Sequence, residues 1–127
     1  MFGGFPFTTN DHSNFVTWNG NGGVYLMTDP LGGTTLQRFD ASGAPTGSTV
    51  ALSTIVRDVV PDGANLLALI DTVKVNLVAI DVATGAMTTG KEFGAGNNGN
   101  RRLEWLGSDV VVAWTRDTHR QIAIGAP

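Results

Sequence analysis

The residues able to do chemistry in this chain are few, and their spacing decides what they are for. Gly94-Ala95-Gly96-Asn97-Asn98-Gly99 matches G-x-G-x-x-G, the spacing of a glycine-rich turn that cradles a dinucleotide pyrophosphate. That chemistry needs a helix next, with its first N–H groups facing the phosphates. Asn100-Arg101-Arg102 instead leads into a run of strand character, so a connecting loop is expected. Asp11-His12-Ser13 has the residue types of a hydrolytic triad, and His119 follows Asp117 closely. A triad needs nucleophile, base and orienting acid in mutual contact. Neighbours on a strand point to opposite faces, so Asp11, His12 and Ser13 cannot form one by themselves. With two histidines and no cysteine, neither catalysis nor a histidine metal site is expected. Asp58, Asp62 and Asp109 are too scattered for a carboxylate-based hydrolase.

Two acidic turns, Asp40-Ala41-Ser42-Gly43 and Asp81-Val82-Ala83-Thr84-Gly85, offer oxygens to Ca²⁺. That ion wants six or more ligands, and each turn has one carboxylate. Each aspartate is therefore expected to cap its own turn, and no metal or cofactor is expected. The remaining candidates are binding residues. Trp18 and Trp105 fall at matching ends of two strands, where a tryptophan stacks on a sugar or fills space between sheets. Arg102 and Glu104 flank Trp105. Arg101, Arg102, Arg116 and Arg120 make the last third basic, a solvated surface or an anion-binding or interface patch.

These residues are placed by a repeat. One copy runs from Asn14-Phe15-Val16-Thr17-Trp18 into Val24-Tyr25-Leu26-Met27. A second runs from Val56-Arg57-Asp58-Val59-Val60 into Leu66-Leu67-Ala68-Leu69-Ile70. A third, 45 residues after the second, runs from Arg101-Arg102-Leu103-Glu104-Trp105 into Val111-Val112-Ala113-Trp114. Asp40 and Asp81 end strands 41 residues apart. The expected strands are 13–18, 23–28, 34–40 and 48–53; then 55–60, 65–70, 74–81 and 88–93; then 101–105, 109–115 and 119–124. Residues 66–70 are continuously apolar, which predicts a strand buried on both faces. No helix is expected.

Four short strands per period of 41 to 45 residues is the pattern of a β-propeller blade. The expected fold class is therefore all-β, with three four-stranded blades in one domain: 11–54, 55–96 and 97–127. The third blade lacks its outer strand. Residues 1–10, with Phe2, Phe5, Pro6 and Phe7, read as a spare one, since proline suits a sheet edge. Three blades subtend too little of a circle, because rings have four to eight. A homodimer related by a two-fold axis closes six. The opening strand is then exchanged, residues 5–8 pairing with residues 120–124 of the other copy. Phe5, Phe7, Arg120, Ile122 and Ile124 are the expected interface.

Composition narrows the classes. Of 127 residues, 42 % are hydrophobic and 15 % charged, which describes an ordered domain. Seventeen glycines suit a fold with a turn every few residues. A net charge of −3 argues against a nucleic-acid partner. No apolar run approaches the ~20 residues of a membrane helix, so no membrane partner is expected. The opening residues do not read as a signal peptide.

Residues 34–54 resemble the repeats of large bacterial secreted and cell-surface propeller proteins, with the form R-F-D-x-x-G-x-x-x-G. The match is Arg38-Phe39-Asp40, Gly43 and Gly47, and Val111-Val112-Ala113-Trp114 looks like the apolar strand of the same repeats. The resemblance implies a propeller scaffold and a bacterial secreted or cell-surface setting. The architecture is also similar to small oligomeric propeller lectins of the fucose-binding type, which use Arg, Glu and Trp in pockets between blades. That implies Arg102, Glu104 and Trp105, with Trp18, as ligand-binding residues. Copy two has Arg57, Val59 and Val60 at the matching places, so the set occurs once. The leading expectation is a non-enzymatic, self-associating binding or assembly module. A carbohydrate-binding lectin is the alternative, and a propeller hydrolase the last.

Overall fold

Hairpin after hairpin, the chain pairs each strand with the one before it. The computed structural model describes residues 13–18, 21–29, 33–71, 74–94, 101–116 and 119–127. The expectations for residues 1–12, Phe5 and Phe7 among them, lie outside the described residues. The described strands are β1 (Ser13–Trp18), β2 (Gly22–Asp29), β3 (Gly33–Asp40), β4 (Pro45–Leu52), β5 (Val56–Asp62), β6 (Asn65–Asp71), β7 (Val75–Ile80), β8 (Met87–Glu92), β9 (Arg102–Leu106), β10 (Asp109–Arg116) and β11 (His119–Gly125). They form three antiparallel sheets in sequence order: β1 to β4, β5 to β8, and β9 to β11. No helix occurs among the described residues. The all-β expectation is met, with sheets of four, four and three strands.

Most strand ends fall within two residues of expectation, and two further differences come from bulges. β4 begins at Pro45, three residues early. The β3–β4 register shifts between Leu36 and Arg38, and Gly47 sits opposite at φ 69°. A β-carbon on Gly47 would stand 2.8 Å from Arg38 Nη2. The glycine thus supplies a left-handed backbone and room for the guanidinium. Pro45 opens the strand, where a missing N–H is tolerated. The second difference concerns repeat offset. The β5–β6 hairpin closes at Asp62↔Asn65 and the β9–β10 hairpin at Leu106↔Asp109, so the copies stand 44 residues apart. A shift between Val56 and Asp58 absorbs the extra residue. Pro61, not Val60, is therefore the counterpart of Trp105.

The sheets stack face to face around the middle one. Leu66, Ala68 and Ile70 of β6 join Val78 and Ile80 of β7 against Val24, Leu26 and Leu36 of the first sheet. Leu67 and Leu69, with Val75 and Leu77, face Leu103, Val110, Val112 and Trp114 of the third. Alternate residues of one strand enter two different cores, so β6 is apolar throughout, as expected for burial on both sides. The backbones of neighbouring sheets approach at their first strands, β1 beside β5 and β5 beside β9. Thr34 ties the first pair of sheets. Its Oγ1 accepts the Val56 N–H at 3.1 Å and lies 3.0 Å from Thr28 Oγ1. Gly85, at φ 76°, brings the β7–β8 turn against Val50 of β4, where a β-carbon would be 2.5 Å from Val50 Cγ1.

Candidate functional site

The third sheet carries most of the residues singled out from sequence, and strand alternation sorts them onto two faces. Leu103 and Trp105 of β9, with Val110, Val112 and Trp114 of β10, turn toward the second sheet. Arg102 and Glu104 turn away, in ladder register with Ala113 and Val111. Arg102, Glu104 and Trp105 are thus not brought together. Arg102 Nη2 lies 3.7 Å from Glu104 Oε1, with both side chains about two-thirds exposed. So loose and wet an ion pair contributes little. Trp105 is half-buried, and its Nε1–H donates to the Pro61 carbonyl at 2.6 Å. Trp18 ends β1 opposite Gly23.

Beneath Arg102 lies a residue the sequence offered only as one of three scattered carboxylates. Asp58, on β5, faces the third sheet with its side chain 14 % exposed. Its Oδ2 accepts the Leu103 N–H at 2.7 Å and its Oδ1 accepts its neighbour Val59's N–H at 2.9 Å. Arg102 Nε is 3.9 Å away. β9 is an edge of its sheet, and edge N–H groups need a partner. Asp58 supplies one across 45 residues of sequence, which no local pattern reveals.

The outward face of the third sheet is open, and it is apolar where β10 and β11 meet. Ile122 and Ile124 of β11 are 66 % and 60 % exposed, and Leu106 of β9 is 57 % exposed. Ile124 pairs with Val111 and Ile122 with Ala113, so four aliphatic residues form two adjoining rows. Arg120 lies beyond them, opposite Thr115. Arg102, Arg120 and Ile122 border a groove of about 370 Å³ on this face. The expected interface residues Arg120, Ile122 and Ile124 all lie on it. On the far side of the molecule, Tyr25 and Met27 of β2 alternate with the buried Val24, Leu26 and Thr28. They are half-buried on the face turned from the second sheet.

The acidic turns cap themselves. Asp40 Oδ1 accepts from Ser42 Oγ at 2.6 Å, Ser42 N at 2.8 Å and Ala44 N at 3.0 Å. These bonds, the Ser42 hydroxyl first and then the Ala44 and Ser42 N–H groups, hold its carboxyl below the ordinary carboxylate value. Asp81 Oδ1 accepts from Ala83 N at 2.8 Å and Thr84 N at 3.1 Å. No group of three acidic, histidine or cysteine side chains suited to a metal ion occurs among the described residues. Gly94 opens the glycine-rich segment and residues 95–100 lie outside the described residues. The next described element is the strand β9. Ser13 begins β1 and His119 begins β11, while Asp11, His12 and Asp117 lie outside the described residues.

One buried polar group stands out in the core. Trp114 packs on Phe93 with ring centroids 5.3 Å apart, yet its Nε1–H has no acceptor among the described residues.

In comparisons with known proteins, the chain matches no family model, no curated protein and no solved structure.

Proposed function

We propose that this chain is a non-enzymatic, self-associating scaffold: half of a six-bladed β-propeller that a second copy completes. Its work is assembly and the presentation of a ring-shaped surface. The observation that carries this reading is the outward face of the third sheet. Val111, Ala113, Ile122 and Ile124 form an apolar surface of the kind the other two sheets bury against each other, and it is open. Monomeric proteins rarely leave such a face uncovered. The face of the first sheet that carries Tyr25 and Met27 is its counterpart on a second copy. A two-fold axis satisfies both ends of both chains at once and leaves no end open. In this arrangement the opening segment, residues 5–8 with Phe5 and Phe7, adds along residues 120–124 of the other copy as the fourth strand of its third sheet.

Light scattering on the chromatographed protein tests the reading. The expected mass is twice the 13.3 kDa of the chain at micromolar concentration. A monodisperse monomer at that concentration overturns it.

A further inference from the structure

We propose that the cleft between the first and second sheets binds a neutral polyhydroxylated ligand, a sugar unit with adjacent free hydroxyls. The cleft has a volume of about 450 Å³, within the range of small-molecule sites. It opens where hairpin tips of the two sheets face each other. It stays open because those tips carry small residues, Gly22 and Gly23 on one side and Ala64 on the other.

Six polar residues line it, Asn21, Arg38, Asp40 and Thr46 on the side of the first sheet and Asn65 and Asp81 on that of the second; Arg38, Asp40 and Asp81 carry its charges and Asn65 one of its amides. What each has left to offer defines the ligand. Arg38 faces the second sheet, being in register with the buried Val24. Its guanidinium has no hydrogen-bond or ion-pair partner among the described residues, and its Nε is shut off from solvent. Asp40 and Asp81 each spend Oδ1 on their own turn, which leaves both Oδ2 atoms as acceptors. Asn65 Oδ1 accepts the Val82 N–H at 3.3 Å, which leaves its amide N–H groups as donors.

Among these four the unspent set is therefore two kinds of donor and two carboxylate acceptors. An anion meets two carboxylates against one guanidinium and is repelled. A bare cation lacks the ligand number it needs and meets the guanidinium. A hydroxyl donates and accepts at once, so vicinal hydroxyls match the set without adding charge. The cleft lies within one chain, so this inference stands apart from the assembly of two.

The test is an amide-resolved NMR titration of the full chain with methyl glycosides of glucose, galactose, mannose and fucose, to millimolar concentrations. Sodium acetate and sodium phosphate are run in parallel. The expected result is shifts from at least one glycoside, clustered at Arg38, Asn65 and residues 81–83, and weakened at least tenfold in Asp81→Asn and Arg38→Gln. Asp81→Asn keeps an oxygen for the turn while removing the charge. Shifts from the anions alone, shifts clustered elsewhere, or none from any glycoside overturn the proposal. So do glycoside shifts that survive both substitutions. The position of the shifts in the parent protein decides the matter even where a variant fails to fold.

Discussion

Replacing Asp58 with alanine removes the clamp between the second and third sheets, and the structure sets the size of the effect. The Leu103 N–H loses a carboxylate acceptor at 2.7 Å, on a residue 1 % exposed. A hydrogen bond to a charged group contributes about 1.5–3 kcal/mol, and a buried donor left unpaired costs about 1–3 kcal/mol. A total near 3 kcal/mol is a large part of the 5–15 kcal/mol that holds a typical domain together. At roughly 2.1 cal/mol/K per residue, a chain of 127 residues loses about 11 °C in Tm. Asp58→Asn keeps one carbonyl oxygen in place, so it recovers about half of the loss. Urea unfolding and calorimetry at one fixed protein concentration read both variants, since association would otherwise shift the midpoint. A loss below about 0.5 kcal/mol for Asp58→Ala, the range of an ordinary surface change, refutes the clamp.

Three further outcomes are expected. At the open face, Ile122→Ala or Ile124→Ala forfeits roughly 1–2 kcal/mol per contact; counted at both contacts of a two-fold dimer, this raises the dissociation constant roughly 30- to 700-fold. Sedimentation measures it, and because both side chains are already exposed in the single chain, monomer stability stays within about 0.5 kcal/mol. In the β3–β4 turn, the folded-state pKa of Asp40 is lowered, so the carboxylate's contribution is complete above its unfolded value of about 3.9 and is lost as pH falls through the folded value. Parent and Asp40→Asn therefore differ in urea midpoint at neutral pH and converge in acid, whereas a gap independent of pH speaks against the turn bonds. In the core, Trp114→Phe relieves an unpaired N–H while keeping a ring on Phe93, so it changes stability by less than about 1 kcal/mol, against about 3–5 kcal/mol for Trp114→Ala; chemical denaturation separates the two.

Turn chemistry made most of the architecture legible. The Asp40 and Asp81 turns announced hairpins because aspartate can cap its own turn and glycine accepts positive φ. The unbroken apolar run from Leu66 to Ile70 announced a strand with a core on each side. Bulges were not legible. Gly47 falls between the expected strands 34–40 and 48–53, and only the Arg38↔Thr46 pairing beside it shows it inside a strand. The one-residue slip at Arg57 likewise misaligned Trp105 with Val60, and so paired Arg102, Glu104 and Trp105 with the wrong residues of copy two. The candidate site was less legible than the fold. Residue type flagged Arg102, Glu104 and Trp105 together, but strand alternation sends Trp105 to the face opposite the other two. Asp58 owes its role to a partner on another strand, Leu103, 45 residues away, and carries no local signature.

The proposed closure of two chains face to face is open to direct trapping. The sequence has no cysteine, so Met27→Cys and Ile124→Cys introduce the only thiols, one on each outer face. A bis-maleimide with a reach of about 10 Å, the spacing of packed sheets, should join the double variant into a species of two chains and no more. Neither single variant should cross-link. A ladder of higher multimers, or monomer alone under conditions that label both thiols, contradicts a ring closed by two copies.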